Sequence, residues 1–269
     1  MDGVTKRFRH PGGMTSMALD GVSLEVGEQT FVALLGPSGC GKTTVLRLAN
    51  GLITPDSGSV LLAGKPPQPG PGAGFVFQSF RLLPWATVRA NVEFALEPLG
   101  LDRAERRARA DRYLALVGLA GSADRHPGQL SGGMRQRVAL ARALAVEPDI
   151  LLMDEPFASL DAQTRELLQI ELMAIWARHR ALVLFVTHSV DEAILLADRI
   201  VLMGSGRVLE QIEVGIERPR WSAEVRADRR FLDLRAYLWN RIRDLVLSDP
   251  ASEFYGRATI LQQRGNEWV

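Results

Sequence analysis

The stretch Gly36-Pro37-Ser38-Gly39-Cys40-Gly41-Lys42-Thr43-Thr44 decides how the chain is read. Before it, residues 29–35 form a short apolar run of strand length. After it, residues 42–50 favour a helix, which Gly51 stops. Strand, glycine loop and helix in that order open a parallel α/β unit. The loop fits G-x-x-x-x-G-K-[ST] in full. Its glycines let backbone N–H groups turn inward around phosphate oxygens, and the helix beginning near Lys42 aims its positive end at the same anion. In such a loop Lys42 bridges the β- and γ-phosphates of a nucleoside triphosphate, and Thr43 places its hydroxyl on Mg²⁺.

Working outward, apolar runs of strand length recur at 59–63, 74–77, 149–153 and 181–186. They suit buried parallel strands. Helical patterns fill 161–178 and 190–197, and 200–203 with 207–211 read as a strand pair turned at Gly204 and Gly206. Between residues 87 and 145 the pattern is helical instead, an insert between two parts of an α/β core. Asp154 ends the run Ile150-Leu151-Leu152-Met153, where a carboxylate can hold Mg²⁺ opposite Thr43. Glu155 follows at once and points elsewhere, so it is free to face an attacking water as general base. Taken alone, the pair would equally cap the turn at Pro156.

Composition narrows the classes. The chain has 269 residues, 46% apolar and 23% charged, with a formal net charge of +1. That is an ordinary globular mixture with no global field to steer nucleic acid. The single cysteine, Cys40, builds no disulfide framework and fits a reducing compartment. No opening segment resembles a signal peptide, and no apolar run approaches the ~20 residues of a spanning helix. A membrane role therefore has to come through a partner.

Leu130-Ser131-Gly132-Gly133-Met134-Arg135-Gln136-Arg137 resembles the signature motif of ATP-binding-cassette (ABC) ATPases. Ser131, Gly132 and Gly133 stand at the entry to a helix over 137–145, a second N-terminus with bare N–H groups and so a second phosphate clamp. Two clamps in one chain point to two chains arranged head to tail, each phosphate loop facing the partner's signature helix. The remaining stations match in order. Gln78 stands where the family has its Q-loop, whose amide contacts Mg²⁺ or water. Ser159-Leu160-Asp161 matches the D-loop, although Asp161 equally serves as a helix N-cap. His188 stands at the family's switch histidine, and Phe8 at the aromatic that stacks on adenine.

The resemblance implies an α/β fold: a P-loop NTPase (RecA-like) core, about 1–86 and 146–215, with an inserted α-helical signature subdomain at about 87–145 and a small antiparallel β part. A helical tail follows at 216–269. It also implies ATP hydrolysis with ATP and Mg²⁺, at the cytoplasmic face of the inner membrane. Gly74-Phe75-Val76-Phe77-Gln78, Leu83-Pro84-Trp85 and Phe185-Val186-Thr187-His188 are similar to nitrate/sulfonate/taurine importer ATPases. In that branch the cassette dimerises on an integral membrane permease, served by an extracytoplasmic solute-binding protein. Too few residues separate Lys42 from Asp154 for the long coiled coil of a chromosome-maintenance ATPase. Two departures stand out. The family has a β-strand ahead of the segment matching 4–8, so either that edge strand is missing here or the start is displaced. Phe157-Ala158-Ser159-Leu160-Asp161 replaces the commoner Phe-Gly-Ala-Leu-Asp. In the tail, 231–247 reads as an amphipathic helix packing on the core. The arginine-rich 218–243 is alternatively a contact for anionic lipid headgroups.

Overall fold

The computed structural model describes residues 1–70, 72–250 and 252–255. The patternless end of the tail, 256–269, lies outside the described residues. Five strands form the parallel part of one sheet: β3 (Phe31–Leu35), β5 (Ala73–Val76), β6 (Ile150–Asp154), β7 (Leu182–Thr187) and β8 (Arg199–Gly204). The order is β5-β6-β7-β3-β8, with β9 (Arg207–Glu213) added antiparallel at the edge. Alternate residues leave opposite faces of a strand, and here both faces are covered. Phe31, Ala33, Leu35, Met153 and Phe185 enter one core; Val32, Leu34, Leu152, Leu184 and Val186 enter another. This is why these strands read as unbroken apolar runs.

The second core is closed by α1 (Lys42–Ala49) and by a three-stranded antiparallel sheet, order β2-β1-β4. Its strands are β1 (Asp2–Arg9), β2 (Thr15–Val22) and β4 (Ser57–Ser59). The segment carrying Phe8 is thus itself a strand, flanked on both sides. β4 reaches only Asp2 and Thr5 of that strand, so at Phe8 itself the pairing is with β2 alone. The strand expected over 59–63 also moves: pairing with β1 ends at Ser59, and the chain then turns back through a bridge between Leu62 and Lys65.

The insert is helical. α2 (Val88–Leu96), α3 (Arg103–Leu116) and α4 (Gly132–Ala145) pack on one another. α4 begins five residues earlier than the sequence pattern indicates, because the Ser131 side chain caps it by accepting the Met134 N–H at 3.3 Å. A polar latch joins insert to core. Glu147, in the α4–β6 connection, accepts the Tyr113 hydroxyl at 2.8 Å and pairs with Arg109 and Arg112 at 2.9 and 2.8 Å. Burial pushes the Tyr113 hydroxyl up to about 12, with the Glu147 bond adding to it.

α5 (Ala162–His179) and α6 (Val190–Leu196) complete the core. α7 (Ala223–Ala227) leads into α8 (Arg229–Ser248), which buries Phe231 and Leu238 and packs on α6. Truncating the fully buried Leu238 to Ala should cost about 2–4 kcal/mol of stability. Trp239→Ala, at the neighbouring exposed position, should cost less than about 0.5 kcal/mol. Urea unfolding of the two variants checks this; equal midpoints would show that α8 is not docked.

Candidate functional site

Strand register brings the chemistry together. Leu35 pairs with Thr187 and Val186 with Asp154, so β3, β7 and β6 end side by side. The residues just past those ends, Gly36, His188 and Glu155, therefore emerge along one rim. Ligands of open α/β sheets bind at this carboxyl edge.

The phosphate loop is wedged against its neighbours. A Cβ on Gly36 would lie 2.2 Å from the Met203 carbonyl oxygen, and one on Gly41 2.5 Å from that of Ala18 in β2. Gly41 also has φ 102 and forms the N-cap of α1. Only glycine fits at either position. Lys42 is buried and folds back into its own loop, donating to the Gly36 and Pro37 carbonyls at 2.7 Å each. Ser38 and Gly39 line the open side, while Cys40 is buried under the loop, which pushes its thiol up. Thr44 is buried beside Thr43.

Thr43 Oγ1 donates to Asp154 Oδ1 at 3.1 Å, spanning from α1 to the tip of β6. Burial raises the Asp154 carboxyl above its ordinary range, against the pull of the Thr43 hydroxyl, and the charge of Glu155 adds to the rise. Glu155 has left-handed backbone, φ 49, a conformation that costs a non-glycine residue on the order of 1–2 kcal/mol. Its N–H holds the Val186 carbonyl at 3.0 Å. This turn sends the two acids different ways. Glu155 meets His188 Nδ1 at 3.5 Å and Gln78 Nε2 at 3.5 Å. Glu155 is about one-fifth exposed and His188 two-thirds exposed, so a water molecule can enter between them.

Other sequence candidates stand apart from this cluster. Ser131 and Gly132 are exposed at the tip of α4, with Gly133 packed near Leu160. Asp161 accepts the Thr164 N–H at 2.9 Å as the N-cap of α5. Phe8 is half-buried on β1, opposite Ser16 and so one strand removed from the β2 segment that abuts the loop. Two residues gain a part that the sequence does not indicate, Gln136 of the signature stretch and Arg142. Gln136, buried on α4, reaches the Glu155 carbonyl at 3.4 Å and accepts the Ser159 hydroxyl at 2.9 Å. Arg142, on the same helix, donates to the Phe80 and Arg81 carbonyls just beyond Gln78. Both bonds are long-range, and their only trace in the sequence is a polar residue on the buried side of a helix.

A phosphate loop, an acidic pair two strands away and a polar residue ending the strand between them define a nucleotide-hydrolysing P-loop ATPase. The ABC transporter family profile matches residues 19–158. The chain is 49% identical over 251 residues to an uncharacterized ABC transporter ATP-binding protein of Methanocaldococcus jannaschii, covering 92% of each. It is 46% identical to the bicarbonate transport ATP-binding protein CmpD of Synechocystis, covering 83% of each. Against the nitrate import ATP-binding protein NrtD of Synechococcus elongatus the identity is 45%, covering 87% of each. A dimeric ATP-binding cassette solved in a post-hydrolysis state with ADP and Pi superposes with a TM-score of 0.74 at 34% identity, over 80% of this chain and 98% of that one. The chain belongs to the ABC transporter ATP-binding family, and it is an ATPase. Gly36→Ala should weaken ATP binding by at least about 10-fold, because relieving the clash with Met203 must distort the cradle. Equilibrium binding of a fluorescent ATP analogue checks this, with circular dichroism confirming the fold; unchanged affinity would mean the loop yields freely.

Proposed function

We propose that this chain is the ATP-hydrolysing subunit of an ABC importer that energises uptake of a small solute of the nitrate, sulfonate or taurine type through a separate permease. The observation that carries the catalytic half is the convergence of Gln78 and His188 on Glu155, beside the Thr43–Asp154 contact. The importer half is supported by the nitrate and bicarbonate relatives, whose cargoes are small oxyanions. No helix among the described residues is long and apolar enough to cross a membrane. Trp85, three-quarters exposed in the segment after Gln78, fits a docking groove for it. The cytoplasmic face of the inner membrane follows as the place of work, with an extracytoplasmic solute-binding protein delivering cargo.

The residues fit a Mg²⁺ ion. Asp154 is a buried carboxylate touched by a hydroxyl rather than paired with a cation, and such a group favours a hard divalent ion. Mg²⁺ takes one or two protein ligands and completes its shell with phosphate oxygens and water. Thr43 and Asp154 would hold it, with Gln78 beside them; when bound it neutralises charge on the β- and γ-phosphates.

The loop N–H groups from Gly36 to Thr44 cradle the phosphates, and Lys42 leaves its loop carbonyls to take them. Phe8 stacks on adenine. The exposed α4 tip of a second chain, with its Ser131, Gly132 and Gly133, closes over the γ-phosphate, and Asp161 faces the partner across the dimer. Glu155 accepts the proton of the attacking water while His188 and Gln78 orient it.

Glu155→Gln should cut turnover by about 10²–10⁴-fold while leaving ATP affinity intact and trapping an ATP-bound dimer on size exclusion. Normal hydrolysis by that variant would remove Glu155 as general base. For the cargo, a deletion strain grown on nitrate, taurine, alkanesulfonates or sulfate as single sources should fail on one of them. The intact gene should rescue it and Lys42→Ala should not. Growth on all of them would discard this branch of solutes.

A further inference from the structure

Glu192 is a buried carboxylate that the chemistry above leaves unused. It lies on the first turn of α6, four residues beyond His188, and is 8% exposed. Three elements meet on it. From the end of β7, Thr187 Oγ1 donates to Oε2 at 2.5 Å. The same hydroxyl accepts the Ser189 N–H at 3.0 Å, so the residues on both sides of His188 are pinned through one oxygen. From α5, the buried Gln169 donates Nε2 to Oε1 at 3.1 Å. Arg165 Nε approaches that oxygen to 3.9 Å, and its other arm donates to the Leu160 carbonyl at 2.9 Å.

Burying a carboxylate costs free energy unless its oxygens are satisfied, and burial raises this one against the pull of the Thr187 hydroxyl. An apolar side chain of similar size would fill the site at less cost. What it could not do is accept from two elements at once. The carboxylate joins the turn that presents His188 to α5, and through Arg165 to the 159–161 loop. That loop is in turn tied to the Glu155 carbonyl by the Ser159–Gln136 bond.

We propose that Glu192 is the positioning residue for His188, and that it couples the histidine's orientation to the 159–161 loop through Arg165, with Gln169 fixing it to α5. This rests on the role given to His188 under Proposed function. A displacement of about 1 Å at a reacting group can cost on the order of 10²-fold in rate, so the bond network holds the histidine where a looser turn would not.

The test is a double-mutant cycle on the purified full chain, reading kcat and KM for MgATP per nucleotide-binding site. Glu192→Ala should lower kcat about 10–100-fold and change KM less than about threefold. Glu192→Gln, which keeps the shape and one of the two acceptors, should recover part of the rate even if the alanine variant folds poorly. In a His188→Ala background, Glu192→Ala should cost less than about twofold, because both changes act through one group. Equal losses in the two backgrounds, or a raised KM with normal kcat, would overturn the proposal. A slow His188→Ala beside a normal Glu192→Ala removes the positioning role alone. A normal His188→Ala beside a slow Glu192→Ala removes both the positioning role and the part assigned to the histidine.

Discussion

Everything at the nucleotide face depends on the end of β3 turning without side chains. The strand is central in the sheet and buried on both faces. Its continuation must pass beneath the Met203 carbonyl and beside β2 before α1 can begin, and Gly36 and Gly41 are the two points where the chain grazes other backbone. That confinement fixes the loop from below. The buried Lys42 ammonium, held by two loop carbonyls, fixes it from within. A cradle set by backbone packing presents its N–H groups already oriented, so little has to reorganise when an anion arrives.

The second determinant is sheet order. Because β7 lies between β3 and β6, its final residues rise between the phosphate loop and the acidic pair. One strand thereby delivers His188 to Glu155, and one left-handed residue gives Asp154 and Glu155 different partners. The strain at Glu155 is held by two long-range contacts, to Val186 and Gln136. α4 is the member that spans most of the site. Its tip carries Ser131, its middle Gln136 and its far end Arg142, so a movement of the insert reaches Glu155 and the segment after Gln78 through one rigid helix.

The parts legible in the sequence are those set by local chemistry or by burial on both faces. The phosphate loop, the apolar strands and the cap at Asp161 need no partner to be recognised. β4 was misplaced because Ser57–Ser59 is polar and exposed and is a strand only by pairing with β1. The start of α4 was hidden by two glycines, poor helix formers that are tolerated because Ser131 caps them. Gln136, Arg142 and Glu192 were invisible for another reason. Each acts across 19 to 62 residues of sequence or through a second element, and a single sequence carries no sign of which polar residue faces which backbone.

The tail shows how such contacts redirect an argument from composition. Most of its arginines pair with acids. Arg218 pairs with Asp198, Arg226 with Glu166, Arg235 with Asp191 and Arg241 with Glu210. The more exposed of these pairs contribute on the order of 0–1 kcal/mol each. Arg220 outweighs them. It is 3% exposed and donates to the Ile194, Ala197 and Ile216 carbonyls at 2.6–2.7 Å, and charged hydrogen bonds of this kind contribute about 1.5–3 kcal/mol each. Burial lowers it to about 10, still far above neutral pH, so the cation stays in place against the negative end of α6. The tail thus grips the same helix whose first turn follows His188. Arg220 is thus the arginine of this segment turned fully inward as a brace on α6, while Arg226, Arg229, Arg230, Arg235 and Arg243 stay exposed on the surface.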